Sequence, residues 1–142
     1  MKGPNPLSII LCSNRLHNSK DIEEVLVHEL IHVYDVHARK WDLTDCNTLA
    51  KSEVRAAREA ECADTSFGFT KRYCVRDKAR LATRNMFPEA GGDCVGKVFE
   101  EAMKDYTPFT NKTSPKGTNE KQINRQQSGT IRGRVYQSSY KH

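Results

Sequence analysis

No apolar run in this chain of 142 residues approaches the roughly 18 residues that a membrane-spanning helix requires. The opening stretch, MKGPNPLSIILCSN, has one Lys and then an apolar run too short for the core of a signal peptide, so no import address is readable there. No internal repeat is visible. No two cysteines form a C-x-x-C pair, which removes the zinc-knuckle reading. The cysteines are Cys12, Cys46, Cys62, Cys74 and Cys94, an odd number that leaves at least one thiol unpaired even in an oxidising compartment. Acid is nearly absent from one region: from Thr110 onward Glu120 stands alone against seven Lys/Arg. The rest of the chain then holds 16 Lys/Arg (23 less 7) against 17 Asp/Glu (18 less 1), a balance of −1. The net charge of +5 is thus a property of the tail, and a nucleic-acid-binding face on the folded body loses its electrostatic basis.

What is present suits one domain. With 37% hydrophobic and 29% charged residues the composition is that of a globular protein, and the mean hydropathy of −0.74 implies that part of the chain is not packed. That part is the tail TNKTSPKGTNEKQINRQQSGTIRGRVYQSSYKH, whose isolated apolar residues never form a face; residues 110–142 are expected to be a disordered basic extension and residues 1–109 the domain.

Within the domain, LSIILC (residues 7–12) reads as a short strand between PNP and SNR. Asp21 and Glu24 form a D-x-x-E capping box that predicts the start of a first helix, with Ile22, Val25, Leu26, Val33 and Val36 on its packed side and His28 and His32 at the edge of that side. A second helix is predicted from Thr44 or Asp45 to about Ala60, its alanines permitting close approach to a neighbour. A third, from about Lys71 to Asn85, places Val75, Ala79, Ala82 and Met86 inward and Arg72, Arg76, Arg80 and Arg84 in a stripe elsewhere. Pro88 ends it, and Asp93 is expected to cap a fourth helix with Val95, Val98, Phe99, Ala102 and Met103 inward.

The chemistry concentrates in HELIH, residues 28–32. On a helix two side chains four residues apart are one turn displaced and about 40° apart, so two imidazoles can hold one tetrahedral ion between them. Glu29, beside the first of them, can take a proton from an attacking water. Chance supplies about 0.01 copies of H-E-x-x-H in a shuffled chain of this composition. The competing reading, two core-edge histidines hydrogen-bonded to backbone or carboxylate, needs no metal. Catalytic zinc usually takes three protein ligands. Glu53, 21 residues after His32, is the expected third, a gap that fits a loop and one and a half turns of returning helix. Asp35, Asp42 and Glu59 are rivals, and Asp35 could instead orient an imidazole. His37 lies about 140° around the helix from His32 and points away. Cys62 and Cys74 flank the loop between the second and third helices, as a bridge or as buried free thiols. The arginine stripe is either a solvated helix face or a rest for anionic lipid.

The succession IILCSNR, EEVLVHELIHVYD, LAKSEVRAA and KVFEEAMKDYTPF, spanning residues 8 to 109, resembles peptidase family M76, metalloproteases of the mitochondrial inner membrane. The resemblance implies Zn2+ as cofactor, His28 and His32 as metal ligands and Glu29 as catalytic glutamate, with Glu53 in the family's S-E-[IV]-R-A-A block. It departs where Lys51 and Ala102 replace cysteines often found in the family, and in the basic tail. The fold expected is α+β and mostly helical, a small zincin-like domain with a short edge strand or hairpin packed on the HExxH helix. The function expected is a zinc metalloendopeptidase of the intermembrane space, peripheral to the inner membrane. It would mature a membrane-sector subunit of ATP synthase and assist assembly of that sector. Its partners would be that protein substrate and anionic membrane, with no nucleic acid, and the chain a monomer. The alternatives are an assembly chaperone that needs no proteolysis and a DNA-repair-associated metalloprotease.

Overall fold

The computed structural model describes residues 8–66 and 68–109. Among them are four α-helices, α1 (Ser19–His37), α2 (Cys46–Glu59), α3 (Phe69–Met86) and α4 (Gly91–Lys104), and no strand. The mostly helical domain expected from the sequence is found, but the α+β, zincin-like element, an edge strand or hairpin packed on the HExxH helix, is corrected: the described residues are helical with no strand. Residues 8–12 form no strand, because nothing among the described residues pairs with their backbone; Ile10 is 62% exposed, and a single 3-10 turn at Ser13–Arg15 follows. The tail from Thr110 onward lies outside the described residues.

Helix α1 starts earlier than the capping box suggested. Asn18 is the N-cap and accepts from the Asp21 amide, while the Asp21 carboxylate accepts from the His17 amide, so Asp21 reciprocates the cap from inside the first turn. Its apolar side is not its packed side. Ile22 is 39% exposed and Val25, Leu26, Val33 and Val36 are half-buried, whereas the fully buried positions are His28, Ile31, His32 and Asp35. Helix α2 begins close to the expected start, capped by Asp45, which accepts from the amide and hydroxyl of Thr48. It is the central helix, packed against all three others, while α1 touches no helix but α2 among the described residues.

The hydrophobic core lies among the other three. Ala50, Val54 and Ala57 of α2 meet Val75 and Ala79 of α3 and Val95, Val98, Phe99 and Ala102 of α4. Met86, expected inward, is 55% exposed at the end of α3. Asp93 does not cap α4 with its side chain; it sits in the first turn, where its charge favours the helix N-terminus. The α3–α4 turn needs glycine at position 91, since a Cβ there would lie 2.8 Å from the backbone nitrogen of Arg84. Disulfides Cys46–Cys94 and Cys62–Cys74 tie α2 to α4 and the α2–α3 loop to α3; Cys12 is free and exposed.

Helix α1 has no residue in that apolar cluster; Ile31 is its one buried apolar side chain, and the rest of its buried face, His28, His32 and Asp35, docks on α2 as a polar seam. That seam carries the site.

Candidate metal centre

The seam brings together His28 and His32 of α1 and Glu53 of α2, all buried. The two Nε2 atoms are 3.0 Å apart, and the Glu53 carboxylate oxygens lie 3.3 Å from Nε2 of His28 and 3.5 Å from Nε2 of His32. A tetrahedral ion with bonds of ~2.0–2.1 Å holds its ligand atoms about 3.3 Å apart, the middle of that range.

The far sides of both rings are occupied. Nδ1 of His28 is 2.9 Å from Oε1 and 3.1 Å from Oε2 of Glu61. Nδ1 of His32 is 2.7 Å from Ser52 Oγ, which donates to Asp35 Oδ2 at 2.8 Å. A carboxylate only accepts, and a serine that gives its proton to Asp35 must accept from the ring, so Nδ1 is the donor in both imidazoles. In the neutral rings both Nε2 lone pairs then face one another and an anionic carboxylate. Such an arrangement calls for a cation. Glu53 Oε2 is buried and faces His28 Nε2 at 3.3 Å, consistent with the same demand.

The electrostatics express it as proton affinity. Burial works to lower the His28 pKa, but the hydrogen bonds and charges of Glu53 and Glu61 outweigh it and raise it to about 10. Burial would raise Glu53, but the His32 and His28 charges and hydrogen bonds bring it to about 2. Glu61 is likewise held below the usual carboxylate range by His28, against its burial. Glu29, half-buried beside the cluster, is pushed up by burial against the opposing influence of His32 and His28, which makes its carboxylate a stronger base than an exposed one.

The rival carboxylates fall elsewhere. Asp35 reaches His32 only through Ser52 and is paired with Arg55; Asp42 caps the turn at Thr44; Glu59 bonds to Arg58 Nε at 3.0 Å. His37 is outside the cluster, as its angle on the helix predicts. Glu61 and Ser52 were missed by the sequence reading. Ser52 had one available signal, its place directly before Glu53 on the same helix. Glu61 had none, because it lies past the end of α2, where only the turn at residues 61–64 directs it back to α1.

The profile of the Peptidase M76 family matches residues 3–110. The human protein named mitochondrial inner membrane protease ATP23 homolog is 39% identical over 116 residues, covering 71% of this chain and 46% of that protein. The Xenopus laevis protein of the same name is 35% identical, covering 71% and 48%, and the Schizosaccharomyces pombe mitochondrial inner membrane protease atp23 is 31% identical, covering 71% and 62%. The chain spans about half the length of the vertebrate relatives it matches. No solved structure matches it.

Proposed function

For a chain that belongs to the Peptidase M76 family, we propose a zinc-dependent endopeptidase in which His28, His32 and Glu53 hold the ion and Glu29 is the general base. The observation that carries this reading is the convergence of two Nε2 atoms and one buried carboxylate at tetrahedral spacing, with both Nδ1 atoms engaged elsewhere. Two nitrogens and one carboxylate oxygen are the donor set of catalytic zinc, and they leave a position open. When bound, zinc supplies Lewis acidity toward a peptide carbonyl and toward water. The chain's own groups do the proton work. Glu29 takes a proton from the attacking water and returns it to the departing amine, its raised pKa matching it to both tasks. Glu61 and Ser52 keep the two imidazoles in the tautomer that presents Nε2.

The substrate proposed is a membrane-sector subunit of ATP synthase, met on the intermembrane-space side. The relatives' names, as inner membrane proteases, support a location at that membrane. No helix among the described residues is long and apolar enough to cross a bilayer, so a peripheral contact is proposed. Helix α3 offers a surface for it: Phe69 is 85% exposed and Tyr73 68% exposed one turn later, with exposed Arg80 on the same side. Phe69→Ser with Arg80→Glu is expected to abolish co-sedimentation with phosphatidylcholine vesicles containing phosphatidylglycerol; unchanged binding would remove α3 from the contact.

Metal stoichiometry tests the central reading. Wild-type protein is expected to carry one zinc per chain, Glu53→Ala to lose it, and Glu29→Gln to keep zinc while losing hydrolysis by about 10²-fold or more. A wild type that binds no metal overturns the enzyme; assembly of ATP synthase that survives Glu29→Gln favours the non-proteolytic chaperone.

A further inference from the structure

Asp105 stands outside every helix, immediately after α4, yet it ends a buried polar chain that begins at His32. Its Oδ1 is 2.9 Å from Arg55 Nη1. Arg55, fully buried, grips Asp35 with Nη2 3.1 Å from Oδ1 and Nε 3.2 Å from Oδ2. Asp35, also fully buried, accepts from Ser52 Oγ at 2.8 Å, and Ser52 Oγ lies 2.7 Å from Nδ1 of His32. Arg39 closes the chain from the α1 side: it bonds Asp105 Oδ2 and lies 3.9 Å from Asp35 Oδ1, with its guanidinium 4.0 Å over the Trp41 ring. The backbone carbonyls of Asp105 and Thr107 also accept from Arg55.

Each link has one allowed direction. A guanidinium only donates, so Asp35 accepts from Arg55. Holding that charge pair, Asp35 takes the single Ser52 proton as well, which leaves Ser52 to accept from Nδ1–H of His32. A serine hydroxyl is a rotor, and nothing in Ser52 itself prevents the reverse order. With Arg55 displaced, the fully buried Asp35 loses the charge that opposes its burial and takes up a proton. Protonated Asp35 donates to Ser52 Oγ, whose own hydroxyl then turns to donate to Nδ1, moving the imidazole proton to Nε2, the atom that faces His28 and Glu53.

We propose that Asp105 is a positioning residue for His32: by seating Arg55 against Asp35 it sets the direction of the hydrogen-bond chain through Ser52 and leaves Nε2 of His32 open to a metal ion. The segment that closes the domain is thereby wired to a ligand it does not touch. The inference rests on the zinc reading above.

Zinc affinity of the full chain, measured in competition with a chromophoric chelator, tests it in a cycle of wild type, Asp105→Asn, Ser52→Ala and the double variant. Asp105→Asn is expected to weaken zinc binding about tenfold in the wild-type background. It should weaken it no further in the Ser52→Ala background, where the chain is already cut. Equal losses in both backgrounds, or an unchanged affinity with a lowered melting temperature, would mean a merely structural Asp105 and overturn the proposal. Imidazole nitrogen NMR of the chelator-treated wild type needs no variant to fold: Nδ1–H on His32 is expected, and Nε2–H overturns the proposal. The zinc reading fails by a different result, a His32→Ala protein that binds zinc as tightly as wild type, and that result removes this proposal with it.

Discussion

A histidine offers a metal one nitrogen and must do something with the other, and here the two ligand candidates solve this differently. His32 is backed by a neutral hydroxyl fully removed from solvent, His28 by the carboxylate of Glu61, whose side chain is 21% exposed. A carboxylate behind an imidazole raises its basicity and fixes its ring, and loss of such a partner costs about 10–100-fold in metal affinity. Glu61→Ala is therefore expected to weaken zinc binding by about that factor while leaving one zinc per chain at saturation, measured by chelator competition. An unchanged affinity would make Glu61 a surface acid that happens to lie near His28.

At the scale of elements, α1 buries mostly polar groups in its seam with α2, with Ile31 the one apolar exception, where the other helices meet through an apolar cluster. In the metal-free protein that seam depends on pH with a sign fixed by its members. The folded pKa of His28, about 10, exceeds its ordinary 6.5, so its contribution is complete below pH 6.5 and is lost as pH climbs through 10. Glu53, lowered from 4.5 to about 2, contributes above pH 4.5 and loses its contribution as pH falls through 2. Chelator-treated protein should then melt at its highest temperature between pH 4.5 and 6.5, with α1 released first on the alkaline side. In the proposed centre zinc would replace the His28 proton, so binding near neutral pH should release about one proton, read from the buffer dependence of the binding enthalpy. A melting temperature that stays flat from pH 6.5 to 10, or no proton release, would show that the seam does not hold His28 charged.

For the whole molecule, the three-helix core is small and two disulfides close it. Cys46–Cys94 spans 48 residues and Cys62–Cys74 spans 12. Chain-entropy reasoning assigns about 4 kcal/mol to a loop of the first length and about 3 kcal/mol to the second. Cys46→Ser with Cys94→Ser should accordingly lower stability more than the pair Cys62→Ser with Cys74→Ser in denaturant titration; the opposite order would mean that native packing, not loop length, governs these bridges. The shorter bridge was one of two open readings, a bridge or buried free thiols, because its cysteines flank one predicted loop, and the structure shows the bridge. The longer one joins the starts of α2 and α4, and no local pattern pairs residues that meet only through helix packing.

Helices α2, α3 and α4 were legible because their apolar positions recur at helical spacing and do face a core. The same pattern misled on α1, where Ile22 is exposed, Val25 and Leu26 are only half-buried, and His28, His32 and Asp35 are buried. Polar groups can be the buried side of a helix only when partners from another element satisfy them, and periodicity carries no information about partners. The short apolar run at residues 7–12 misled similarly, since a strand exists only with a second strand beside it. The sequence by itself determined which donor groups make up the candidate centre, through the spacing of His28, Glu29 and His32, and brought Glu53 into range through the length of the returning helix. Which nitrogen each imidazole presents was decided only by the tertiary structure, because that depends on Ser52, Glu61, Arg55 and Asp105, groups brought to the ligands from other turns of the chain by packing.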